Sequence, residues 1–201
     1  MSTTRLVVLG AVRIFQPVHG YYVRRELMTW RVDEWANINP GSIYNALRAL
    51  TREGFLEEVD TGSTGGRPGR TTYQLTADGE SELMTLLRAA LWNVEAFDPQ
   101  PIMAILSFMW ALPRQEVIEG FEHRIAEIDR RLVETEDDER EVPAAATTSP
   151  TFGREMARLT AGRLMAEQEW SRLLVKRLRN GEYVFADERG DGPVGAPQRM
   201  I

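Results

Sequence analysis

The chain has 201 residues, 43% hydrophobic and 27% charged, the balance of a globular protein of one medium domain or two small ones. The lack of cysteine excludes disulfides and thiolate zinc sites, and only His19 and His123 are available for a histidine-based metal site or triad. The net charge of −6 is unevenly spread: residues 1–76 carry nine Arg and seven acids, a net of +2, whereas residues 77–201 carry 15 basic and 23 acidic groups, a net of −8.

No apolar run approaches the ~20 residues of a membrane span. The first fifteen residues hold Arg5 and Arg13, a short apolar run and no small-residue cleavage site. They do not read as a signal peptide, and the cytoplasm is the expected compartment.

In chain order, Leu6, Leu9, Gly10 and Ile14 share one face of a helix expected over 4–15, which Pro17 ends. A second helix is expected from His19 to Trp30, with one of Tyr21 and Tyr22 buried. Asn39-Pro40-Gly41 breaks the chain, and Ser42 is the expected cap of the next helix. There Ile43, Ala46, Leu47 and Leu50 recur at the spacing of a core-facing stripe, and Gly54 stands where a helix ends. The opposite face offers Tyr44, Asn45, Arg48 and Arg52, groups suited to base edges and phosphates.

The stretch GSTGGRPGRTTY, residues 62–73, has the look of a phosphate cradle. A phosphate loop of that kind needs glycine at Thr64 and lysine at Arg70, and it opens a helix. Here β-prone FLEEV precedes the stretch and TTYQLT ends it, so it reads as the tip of a β-hairpin carrying Arg67 and Arg70. Thr76 then caps a helix with an apolar face of Leu83, Leu86, Leu87, Ala90, Leu91 and Val94. Two helices, an exposed polar helix, a hairpin and a further helix make the order of a winged helix-turn-helix. The fold class expected is mainly α with a small β-hairpin wing, followed by an α-helical C-terminal domain.

Three segments, HGYYVRREL at 19–27, PGSIYNALRALTREGFLEE at 40–58 and GRTTYQLTADGESEL at 69–83, resemble the PadR family of bacterial transcriptional regulators. The resemblance covers about residues 4–90. It implies a dimeric DNA-binding repressor that pairs through C-terminal helices, and it implies release of DNA by a small, often phenolic or otherwise aromatic effector. Carried over by position, Ser42, Tyr44, Asn45 and Arg48 face the major groove, with Arg52 beside them. His19 and Tyr21 lie near the DNA backbone, and Arg67, Arg70 and Thr72 are wing contacts. Capping for His19 and core packing for Tyr21 are the alternatives.

Beyond the wing, residues 101–112 are strongly apolar and Pro113 stops them. Phe121, Ile125, Ile128 and Leu132 then repeat in a heptad-like stripe, read as helix packing within or between subunits. ETEDDERE reads as a solvated acidic helix end, and VPAAATTSP as a linker before a last helix at about 152–180. Trp92, Phe97, Phe108 and Trp110 cluster in sequence and are the candidate seat of an aromatic effector, with core packing as the alternative.

The expected organisation is a DNA-binding domain over 1–95, a helical dimerisation and effector domain over 96–183, and a disordered tail over 184–201. An inverted-repeat operator follows from two-fold symmetry. No metal cluster, nucleophile–base constellation or cofactor loop is evident, so an enzyme is not expected. The competing reading is a winged helix that binds a protein. Arg48, Arg52, Arg67 and Arg70 sharing one positive face favours DNA.

Overall fold

The computed structural model describes residues 2–59, 71–95, 98–141 and 152–188. Helix α1, Thr3–Phe15, opens with Ser2 accepting from the Arg5 N–H and ends where Gln16 turns extended before Pro17. It is buried almost all round, from Leu6 to Val12, because four later helices pack against it. Gly10 makes room for one of these approaches: a Cβ there would stand 2.3 Å from the Phe108 ring.

Strand β1, Val18–His19, leads into α2, Gly20–Thr29. The one-turn α3, Val32–Trp35, follows, and then α4, Pro40–Arg52. Gly54 takes φ +84 just past the end of α4, a left-handed position that favours glycine. Strands β2, Leu56–Val59, and β3, Thr72–Leu75, form the hairpin read from the sequence. The sheet also takes in β1, in the order β1-β3-β2 and antiparallel throughout. The two-residue β1 and the short α3 are additions that periodicity does not register.

Helix α5, Ala77–Trp92, starts as expected on Thr76, whose hydroxyl accepts from the Gly79 N–H at 3.0 Å and donates to the Gly54 carbonyl at 2.7 Å. Helix α6, Gln100–Phe108, runs into a 3-10 turn at Met109–Ala111. The long helices α7, Arg114–Glu141, and α8, Phe152–Arg179, then pack as an antiparallel pair. The stripe of the sequence analysis faces α8 of the same chain: Phe121 meets Trp170 edge-on at 5.9 Å, and Ile128 packs on Leu164.

One buried cluster runs from Leu6 through Phe108 and Phe121 to Phe185. This corrects the expectation of a disordered tail from residue 184. Phe185 is fully buried, and the segment up to Glu188 is held by Arg114. Residues 189–201 lie outside the described residues, as does the VPAAATTSP linker.

Candidate nucleic-acid interface

Asn39, not Ser42, caps α4. Its Oδ1 accepts from the Ser42 N–H at 2.9 Å, and Pro40 fills the first helical position, where no N–H is needed. Ser42 is half-buried, and the cap expected of it is made by Asn39. Ile43, Leu47 and Leu50 are fully buried. That fixes the rotation of α4 and leaves Tyr44, Asn45, Arg48 and Arg52 outside, as the stripe predicts. Within this face the Arg48 Nη2 donates to the Asn45 Oδ1 at 2.9 Å.

The start of α2 lies beside α4 because Gly20 lets the backbone come close. A Cβ at Gly20 would meet the Tyr73 ring at 3.2 Å and Leu47 at 3.3 Å. His19 occupies the N-cap position of α2 without capping it; its Nδ1 lies 2.9 Å from the Thr72 Oγ1 instead. Tyr21 is 60% exposed, with Arg24 over its ring, and Tyr22 is 36% exposed. Neither is buried, contrary to expectation, because Tyr22 packs only one edge on Phe15 and takes the Arg25 guanidinium on its face at 4.2 Å.

These elements enclose an open cleft of about 930 Å³. Its walls include His19, Tyr21, Tyr44, Asn45 and Arg48, five of the residues singled out from the sequence. Tyr22 and Arg25 also line it and were missed. The signal available for them was their spacing, three apart on one helix next to the His-Gly-Tyr motif. Burial, then the charge of Glu58, pushes up the pKa of the Tyr73 phenol on the cleft wall. Tyr73 therefore stays a neutral hydrogen-bonding group in ordinary conditions.

Thr72 does not face outward. It is 3% exposed and turned to His19, so its expected wing contact is corrected to an internal one. Arg67 and Arg70 lie outside the described residues.

Among the described residues, the proposed aromatic cluster is not assembled. Trp92, 39% exposed at the end of α5, lies against His123 with ring centres 5.3 Å apart and planes tilted by 50°. Phe108 is 1% exposed and packs against Trp30 over Gly10, so it has no face to offer a ligand. Trp110 is half-buried under the Arg13 guanidinium at 5.2 Å. Phe97 lies outside the described residues. Sequence proximity put these rings in one group, but Trp92 packs on α7 whereas Phe108 and Trp110 pack on α1.

Among the described residues there is no group of three or more potential metal ligands, and no helix is long and apolar enough to cross a membrane.

Residues 8–85 match the model of the Transcriptional regulator PadR-like family. No curated protein matches the chain. Similar solved structures include Bacillus subtilis PadR in complex with operator DNA, at 21% identity over 87% of this chain and 98% of that one, with a TM-score of 0.39. Bacillus subtilis PadR in complex with p-coumaric acid is 19% identical over 88% of this chain and 99% of that one, TM-score 0.36. The PadR-like transcriptional regulator BC1756 from Bacillus cereus is 16% identical over 89% and 99%, TM-score 0.36. The winged helix of residues 8–85 is thus similar to the transcriptional regulator PadR-like family.

Proposed function

We propose that this regulator is a cytoplasmic, ligand-responsive repressor that binds an inverted-repeat operator as a homodimer, through α4 and the wing. The observation that carries the reading is the outer face of α4: Tyr44, Asn45 and Arg48 stand in one cleft with the start of α2, while the opposite face is locked in the core. Donors of this kind suit base edges, and the flanking cations suit phosphates. Pairing of two copies is supported by α8, which leaves Leu159, Met165 and Leu173 exposed among the described residues. A small aromatic effector would act on α5, the helix that runs from the wing to the C-terminal pair. Trp92, its exposed ring, is the remaining candidate for stacking.

The test is a fluorescence-anisotropy titration with the DNA upstream of the protein's own gene, beside a scrambled duplex, at two salt concentrations. Specific binding that weakens with salt is the expected result, because phosphate neutralisation releases counterions. If neither that duplex nor a random library yields a preferred sequence, the DNA reading falls and the winged helix is a protein-binding module.

A further inference from the structure

The contact between Asn45 and Arg48 bears on which base this face selects. A free asparagine amide reads adenine with both ends: its carbonyl accepts from the adenine amino group while its NH₂ donates to N7. In this chain the carbonyl end is already occupied, because Oδ1 accepts from the Arg48 Nη2 at 2.9 Å. What the pair turns outward is a row of donors, the Asn45 NH₂ and the remaining guanidinium N–H groups. Guanine answers such a row with two acceptors, O6 and N7, whereas adenine sets an amino donor against it. The second lone pair on Oδ1 does not restore the adenine contact, because an adenine amino group taking it would lie against the guanidinium cation.

The spacing supports a fixed arrangement. Residues three apart lie on one helix face, and the buried Ile43 and Leu47 hold the rotation of that face. A held guanidinium loses less freedom on meeting its base than a mobile one.

We propose that Asn45 is a positioning residue for Arg48, and that the pair reads guanine in place of adenine. This rests on the DNA-binding reading above. Arg48 is the group that touches the base, and Asn45 acts through it.

The experiment is selection from a random duplex library with the full chain, followed by anisotropy titrations of single-base variants of the selected site. The proteins are the parent chain, Asn45→Ala, Arg48→Ala and the double variant, each checked by circular dichroism. Both side chains are exposed, so the variants should keep the fold. The parent should discriminate one guanine by roughly 5- to 150-fold, the range of a good bidentate contact. Arg48→Ala should abolish that discrimination, free the Asn45 carbonyl and shift the preference there toward adenine. Asn45→Ala should weaken discrimination at the same guanine, with the two substitutions non-additive in the double variant.

A merely structural role for Asn45 would lower affinity for every duplex alike and leave the base preference unmoved, which overturns the proposal. So would an adenine preference lost with Asn45→Ala at a position that Arg48→Ala leaves alone. A library that yields no motif for the parent chain overturns the DNA reading itself, so the two failures are distinct.

Discussion

The Thr72 Oγ1 lies 2.9 Å from the His19 Nδ1, and this contact ties the root of the wing to the first turn of α2. The same two residues are backbone partners in the β1–β3 ladder. Both sides of the cleft are therefore joined by main chain and side chain at one point. Thr72→Val keeps the volume and removes the hydroxyl. The expected cost is about 1 kcal/mol, the worth of one hydrogen bond, read by urea unfolding. DNA affinity should fall for all sequences alike, since the change loosens the wing root and touches no base.

Gly79 shows how tightly the wing exit is built. The Phe55 carbonyl accepts from the Thr76 N–H at 3.1 Å and lies 1.9 Å from where a Gly79 Cβ would stand. That neighbour is backbone and has no rotamer to retreat into. Gly79→Ala should cost at least the ~1–3 kcal/mol of ordinary overpacking. Gly162→Ala, at a helix position with no heavy atom within 4 Å of the added Cβ, is the control and should be neutral or slightly stabilising. Thermal melts of the two variants decide the matter.

How much of this was legible beforehand follows from the range over which each signal acts. The stripe on α4, the Thr76 cap and the two hairpin strands are local patterns, and each was read correctly from neighbouring residues. The cap of α4 was misassigned by three residues because Asn39 and Ser42 are both good capping types, and Pro40 at the first helical position decides between them. Strand β1 has two residues and so no period to detect. Tyr21 and Tyr22 meet the nearby Arg24 and Arg25, but the inward turn of Thr72 and the scattering of Trp92, Phe108 and Trp110 depend on partners far along the chain. No local pattern encodes those partners.

The α7–α8 pair is pinned by Arg124, 1% exposed, whose Nε donates to Glu167 at 2.5 Å and whose Nη1 donates to the Asn93 carbonyl just past α5. The two partners differ in their access to water, since Glu167 is 20% exposed. Glu167→Gln leaves a buried cation without its counter-charge and should cost on the order of 3–5 kcal/mol. Arg124→Met removes the buried charge and leaves a carboxylate that water reaches, so it should cost less. Chemical denaturation that ranks Arg124→Met as the more damaging would contradict this account.

On the outer side of α7, Arg130, and after it Arg131, hold the Glu127 carboxyl well below its ordinary range, from 4.5 to about 2. A carboxyl with a depressed folded pKa binds fewer protons folded than unfolded, so its contribution is complete above about 4.5. That contribution is lost as the pH falls through about 2. Stability should decline across this window, and Glu127→Gln should flatten that part of the profile, its cost being present near neutrality and vanishing as the pH falls through about 2. Unfolding midpoints measured at steps between pH 7 and pH 2 provide the check.

Arg114, at the first position of α7, gathers the end of the described chain around itself. Its guanidinium covers the Phe185 ring at 4.7 Å and donates to the Leu178 carbonyl at 2.7 Å, to the Tyr183 carbonyl, and to Glu188 at 2.6 Å. Burial of Phe185 holds the segment down, and the donors to two carbonyls set its path. Phe185→Ala should cost about 3–5 kcal/mol, as for other large aromatic truncations in a core. Arg114→Met keeps an apolar cover over the ring but removes every donor. It should cost less than Phe185→Ala while making residues 182–188 markedly more sensitive to limited proteolysis. If cleavage there is unchanged in Arg114→Met, the packing of Phe185 alone holds the strap, and the guanidinium contacts are incidental to it.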